Sequence, residues 1–310
     1  LARLSRRQLL TRCSGAGFTA LRRELGWLPP HLASAPHPEE ERLSRAIASG
    51  LLHLDDPVRL RATAASLAAA APPDPEALSE RERRQWHMLT AQLFGTRRQW
   101  RPLDQALEVL WQAGAWREEL IQLLELLAER ADRRLHPLPW ALPVPLRVHG
   151  HYSRAEIEAA YCFAEACGYG VLSTESPWIH REGVLAHQPS ATDLLFITLR
   201  KSEALFSPST RYRDLALGPS LFHWESHSTT TASSATGQRT IHHASRGSRV
   251  LLFVREHRKQ DGRPGAPTEP FACLGFARYE SHEGERPMAI RWRLEREIPA
   301  AWLPVMALAV

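Results

Sequence analysis

Apolar positions recur every three or four residues through roughly the first 140 residues, then alternate in short runs beyond them. The first region predicts helices over 5–10, 39–52, 58–70, 79–94, 102–113 and 116–127. Pro57 stands at a favoured first-turn position, and Ser79 is an N-cap followed by an acidic first turn. Pro72, Pro73 and Pro75 separate these two helices. Leu103, Leu107, Leu110 and Trp111 form one apolar face; Leu120, Leu123, Leu124 and Leu127 form another. With Gly114 between them, they predict an antiparallel helical pair. Pro137, Pro139, Pro143 and Pro145 make a connector, and the domain boundary is placed there, giving a helical domain over 1–140 and a second domain over 141–310.

The second domain opens with a helix over 153–166, where Ser153 and Glu156 have capping-box spacing and Ile157, Tyr161 and Ala164 line one face. Strand patterns follow over 194–199, 220–224, 250–255, 271–279 and 288–294. Gly275 marks a bulge or a tight packing point in the fourth of them. There is no regular βαβ alternation, which argues against a doubly wound sheet. The expected class is α+β: an all-helical N-terminal domain followed by a mixed β-barrel.

Of the 310 residues, 44 % are hydrophobic and 24 % charged, enough apolar material for real cores. The net charge of +5, with 15 His besides, permits a polyanionic partner without requiring one. Cys13, Cys162, Cys167 and Cys273 make no C-x-x-C pair and no zinc-knuckle spacing. No 18-residue apolar run or signal peptide occurs, so no membrane partner is expected and the cytoplasm is the expected location. The chain opens Leu1-Ala2-Arg3 without a Met, which reads as a piece of a longer protein.

Phosphate-binding loops, H-E-x-x-H, G-x-S-x-G and dinucleotide fingerprints are all absent from the sequence. His242-His243 and His223/His227 are of metal-ligand type but lack acidic or Cys partners at a telling distance, so no metal or cofactor is expected. What stands out is the stretch from 206 to 247, where aromatics, arginines and hydroxyls interleave. Arg, Ser and Thr suit phosphate oxygens, amide and guanidinium forks suit base edges, and aromatics offer stacking faces. The candidate base-binding residues are Trp224, Tyr212, Asp193, Gln238, His223 and Ser226; the candidate backbone contacts are Arg211, Arg213, Arg239, Arg246, Lys201 and Arg154. Two other readings stay open at this point. One is a metal-dependent or hydrolytic nuclease using the Glu225-Ser226-His227-Ser228 segment; the other is a protein-interaction scaffold presenting the helical pair over 102–127.

The pieces DLLFITLRKSE (193–203), FSPSTRYRDLAL (206–217), LFHWESHS (221–228), GQRTIHH (237–243), LLFVRE (251–256) and YESHEGERPMAIRWRLEREIP (279–299) occur in this order. Together they resemble the C-terminal domain, long classed as of unknown function, of large bacterial superfamily-2 helicases that often carry a phospholipase D-like nuclease. HYSRAEI (151–157) and WIHREGV (178–184) resemble the start of the same domain. The resemblance implies a fold similar to PUA and SRA-type barrels. It also implies a role as the sensor of 5-methyl- or 5-hydroxymethylcytosine in a modification-dependent restriction system. The expected partners are then double-stranded DNA carrying the modified base and the helicase and nuclease domains of the same full-length chain. The chain itself holds neither motor nor nuclease motifs, so it is not expected to be an enzyme.

Overall fold

The computed structural model describes residues 50–94, 102–131, 134–140, 142–161, 183–200, 214–259 and 268–307, together with 26, 39, 42, 43 and 46. The helix expected over 5–10, most of the one over 39–52, Cys13, Cys162 and Cys167 lie outside the described residues. Four helices come first: α1 (Pro57–Leu67), α2 (Glu80–Phe94), α3 (Leu103–Gln112) and α4 (Gly114–Arg130). Asp56 starts α1 by accepting from the amides of Val58 at 3.0 Å and Arg59 at 3.3 Å, ahead of Pro57. Ser79 starts α2 as a capping box: its hydroxyl accepts from the Glu82 amide at 3.3 Å, while Glu82 Oε2 accepts from the Ser79 amide at 3.0 Å. Ala113 leaves helical geometry at φ −87 and ψ 56 and so divides α3 from α4. The two helices do touch, but α4 packs mainly on α1, not on its expected partner α3. The leucines expected to line α3 and α4 are buried in one core with Leu60, Leu67, Trp86, Phe94 and Trp116.

The short strands β1 (His136–Pro137) and β2 (Arg147–Val148) pair antiparallel. After β3 (His151–Tyr152) comes helix α5 (Arg154–Tyr161). The chain then builds β4 (Val184–His187), β5 (Thr192–Arg200), β6 (Leu215–Gly218), β7 (Leu221–Glu225), helix α6 (Ala235–Ile241), β8 (Arg249–His257), β9 (Phe271–Glu283), β10 (Ala289–Leu294) and α7 (Leu303–Met306). Eight strands form one sheet in the order β4-β5-β8-β9-β10-β7-β6, with β3 also paired to β9. β5 and β8 are parallel and the other pairs antiparallel, so the sheet is mixed. Among the described residues the path has two ends, β4 and β6, and does not close. An α+β protein with a helical N-terminal region and a large mixed sheet is therefore correct, while closure of the expected mixed β-barrel is not seen among the described residues.

The apolar runs of β5 and β8 are continuous because both faces of these central strands are buried. One face carries Leu195, Ile197, Val250, Leu252 and Val254; on the other, Phe196 stacks on Phe253 with centroids 5.6 Å apart. Gly275 has a φ of +88, and the ladder between β8 and β9 slips beside it, so the expected bulge and the expected tight packing coincide. A side chain there would meet Val148 Cγ2 at 3.1 Å.

The chain divides into two compact units that interleave in sequence. One holds α1 to α4, Pro143–Leu146 and α5; the other holds β1, Arg147–Ser153 and the described residues from 183 onward. No helix among the described residues is long and apolar enough to cross a membrane.

Candidate nucleic-acid interface

Strand alternation splits the residues proposed to touch a base. On β7, Phe222 and Trp224 turn inward while Leu221, His223 and Glu225 turn outward. Trp224 is only 8 % exposed, lies opposite Ile290 of β10, and has its ring 6.5 Å from that of Trp292. It fills the core of the sheet. His223 stands on the other face, opposite Arg291. That face carries a ladder of ion pairs, Arg291–Glu283 at 2.7 Å, Arg293–Glu280 at 2.7 Å and Arg278–Glu295 at 3.2 Å. Such exposed pairs contribute little to stability. Here they leave the face with balanced rather than single-signed charge.

Ser226 continues the pairing of β7 with β10: its amide donates to Met288 O and its hydroxyl accepts from the Met288 amide, both at 2.9 Å. The hydroxyl-rich run behind it is also spent on its own backbone. Ser234 caps α6 by accepting from the Gly237 amide at 3.1 Å and donates to Thr231 O at 2.7 Å. Gln238 lies in α6 and donates to Ala232 O at 2.8 Å. Glu285 Oε2 accepts from the Ala232 amide at 2.9 Å, which ties the run to the loop before β10.

Asp193 and Arg239, one proposed for a base and the other for a phosphate, meet each other: Arg239 Nε donates to Asp193 Oδ2 at 3.0 Å. The Asp193 side chain is 10 % exposed, while that of Arg239 keeps 34 % of its surface. Arg246 is exposed in the turn after α6. Between them His243 is buried, with Nδ1 donating to Ser248 O at 3.2 Å and Nε2 accepting from the Tyr279 amide at 3.0 Å. Two backbone partners of opposite kind require the neutral ring, and burial lowers its pKa. Arg154 belongs to the helical unit, where its Nε lies 3.4 Å from Glu158. Tyr212, Arg211, Arg213 and Lys201 lie outside the described residues. Among the described residues, no group of three His, Cys, Asp or Glu is placed to hold a metal ion.

A cleft of about 320 Å³ opens elsewhere in the sheet unit, between the C-terminal ends of β5 and β8, the start of β9, and α7. Leu199, Val254, Ala272 and Met306 give it an apolar lining, and Trp302, His151, Arg255 and Glu269 add an aromatic wall and polar groups. His149 and His151 meet the Trp302 ring edge-on, at 5.6 and 5.3 Å between centroids. Arg255 lies 4.2 Å over the Phe271 ring and donates to Thr198 Oγ1 at 3.0 Å and to Glu269 O at 3.3 Å. Glu269 Oε2 accepts from the His257 amide at 2.7 Å. Burial raises the pKa of this carboxyl, while the His257 amide pulls it back. None of these four residues stands out in the sequence. They come from four segments, and only the HGHY run at 149–152 is itself a compact signal.

A comparison with curated proteins finds no match. A family described as "Domain of unknown function (DUF3427)" matches residues 146–303, which takes in β2 to β10, α5, every candidate residue named above and the cleft lining except that from α7 beyond Leu303. The matched segment is just over half of the 310 residues, and the chain therefore belongs to the DUF3427 family.

Proposed function

We propose that this chain is the DNA-reading module of a longer restriction helicase–nuclease, acting in the cytoplasm and catalysing no reaction of its own. It binds double-stranded DNA that carries 5-methyl- or 5-hydroxymethylcytosine. It rotates the modified base out of the duplex into a PUA/SRA-like pocket, and it signals to motor and nuclease domains in the same polypeptide. The observation that carries this reading is the ordered series of motifs from Asp193 to Pro299, all inside the matched family segment.

The energetics of extrusion define what the module must supply. Taking a base out of the stack costs a few kcal/mol. Stacking it on an aromatic side chain returns about 1–3 kcal/mol. One methyl group adds only about 0.8 kcal/mol of burial, so selectivity needs shape exclusion as well. A water-accessible cleft with an indole wall is suited to the second and third of these tasks. Arg239 and Arg246, both at the surface near α6, are suited to phosphate oxygens.

The test is an electrophoretic shift with plain and modified duplexes, joined to the fluorescence of 2-aminopurine placed next to the modified cytosine. The expected result is tighter binding of the modified duplex and a rise in fluorescence on binding. Replacing Arg246 by Ala should weaken binding to all sequences alike and lower the log–log salt slope by about one unit. Equal affinity for plain and modified DNA, or divalent-metal-dependent cleavage by this chain alone, would overturn the proposal.

A further inference from the structure

Three features of the molecule lie outside the reading so far: the ion-pair ladder on the outer face of β10, the buried Glu156 cluster of the helical unit, and the cleft beside Trp302. The ladder is internally neutralised. The Glu156 cluster borders a space of only about 10 Å³, room for little more than one water. The cleft is different in kind. Its 320 Å³ stands at the low end of the range of small-ligand sites, about 300–1,000 Å³. Its lining is mostly apolar, with a few convergent polar groups.

We propose that this cleft seats one planar aminopyrimidine ring of the cytosine class, packed against the Trp302 indole with its amino group donating to the Glu269 carboxylate. The proposal rests on the DNA-reading function above and gives that function its pocket. The shape argument comes first. Trp302 is held by two edge-on histidines, and His149 is itself fixed by a 3.1 Å contact from its Nε2 to Glu297 O. The indole is thus a rigid wall that needs no ordering when a ring arrives. Leu199, Val254, Ala272 and Met306 oppose it without polar atoms, which suits the apolar edge of a base and a C5 methyl.

The hydrogen-bond argument fixes the class of base. The Glu269 carboxylate accepts from the His257 amide through Oε2 and also from the Glu256 backbone, which fixes it in the lining of the cleft. An anchored carboxylate is an acceptor, and the 4-position of cytosine is a donor. Thymine and uracil carry a carbonyl there and meet the same group with repulsion. Arg255 holds the backbone of Glu269 through its carbonyl and so positions the acceptor from behind. A Gln at 269 reverses the sign. Its amide keeps the size of the carboxyl group but replaces one acceptor oxygen by an NH₂ donor.

The experiment compares the full 310-residue chain with E269Q and with A301W, a substitution at an exposed position on the rim that fills the cleft. Thermal melting verifies that each variant is folded. The duplexes carry 5-methylcytosine or, at the same place, thymine, each opposite an abasic site so that neither base has a pairing partner to lose. The wild type should prefer 5-methylcytosine. E269Q should lose or invert that preference by about tenfold or more, and A301W should lose the fluorescence rise with both duplexes. A wild-type preference that survives unchanged in folded E269Q and A301W places the base elsewhere and overturns this inference alone. If the wild type shows no preference at all, the DNA-reading function fails, and saturation-transfer NMR with free 5-methyl-2′-deoxycytidine then decides for the cleft. Transfer that disappears in A301W supports it as an aminopyrimidine site, and absence of transfer to the wild type overturns it.

Discussion

Single residues in the sheet unit show how closely local backbone and side-chain roles are linked. His149 takes a φ of 72, unusual for a residue with a Cβ, and its amide donates to Cys273 O at 2.7 Å. The turn it starts is packed against itself: Tyr152 Oη accepts from the Arg147 amide at 2.8 Å, and a Cβ on Gly150 would come within 2.6 Å of that oxygen. The same turn delivers His149 and His151 to Trp302, so a strained backbone and an aromatic wall share one segment. Gly237 is tighter still. A Cβ there would lie 2.0 Å from the Thr231 carbonyl oxygen, a backbone atom that cannot swing aside. G237A should therefore force the Thr231–Ser234 turn away from α6 at a cost of roughly 1–3 kcal/mol, read as a lower midpoint in urea unfolding. Because Gln238 and Arg239 follow directly in the helix, the same variant should also weaken the Asp193–Arg239 pair. An unchanged midpoint would mean that the turn has slack the geometry does not show.

Elements were legible where the signal was local. The segment 288–294 alternates strictly, and the burial of β10 follows that alternation, with Ile290 and Trp292 inside and Arg291 and Arg293 turned outward. The continuous apolar runs of β5 and β8 mark strands covered on both faces. Local signal is incomplete where a residue of a local motif also has distant partners. Two S-x-x-E spacings occur at helix starts, Ser79–Glu82 and Ser153–Glu156. At the exposed Ser79 the box forms, with Ser79 Oγ also donating to Glu82 Oε2 at 2.5 Å. Glu156 of the second is 1 % exposed and also reaches across the helical unit, with Oε2 on His53 Nε2 at 2.5 Å and Oε1 on Arg59 Nη2 at 2.8 Å, 103 and 97 residues away. No pattern within one helix contains that information. The hydroxyl run after Ser226 has the same limit: its pattern names the donors, while their backbone partners come only from the fold. The four polar and aromatic residues of the cleft escaped because each comes from a different segment. The Glu156 cluster yields a prediction about elements. E156Q removes the carboxylate charge that faces Arg59, 7 % exposed, in the helical unit. The expected destabilisation is on the order of 3 kcal/mol, seen as a lower urea midpoint of the helical unit; a change below about 1 kcal/mol would show that water reaches the guanidinium.

At the scale of the whole molecule, the histidines make stability depend on pH in a direction that the buried rings determine. Among the described residues, three have pKa values lowered from the ordinary 6.5. His87 of the helical unit falls to about 4, through burial first and then the charges of Arg83 and Arg84. His149 is lowered by burial and next by His136, and His243 by burial. Each is neutral in the folded chain at pH values where the unfolded chain is already protonated. Below pH 6.5 the unfolded state therefore binds more protons, and stability falls as pH falls. For His87 the loss runs from 6.5 down to about 4, where the folded ring also takes its proton, and amounts to on the order of 3 kcal/mol. Glu269 acts in the opposite sense. Its raised pKa makes the folded state the better proton binder above 4.5, so it adds stability as pH falls and offsets part of the histidine loss in the sheet unit. The chain should thus hold full stability above pH 6.5 and lose it steadily towards pH 4, with the helical unit falling more steeply than the sheet unit. Urea midpoints at a series of pH values between 8 and 4, followed by tryptophan fluorescence, measure the curve. H87L should flatten it in the helical unit, because an apolar side chain takes no proton in either state. H243Q tests the ring that bridges the Ser248 carbonyl and the Tyr279 amide: it should lower stability at pH 8, where the neutral histidine is fully formed, and narrow the difference at pH 5. A curve that stays flat from pH 7 to 5 in the wild type would show that these rings exchange protons with water in the folded state.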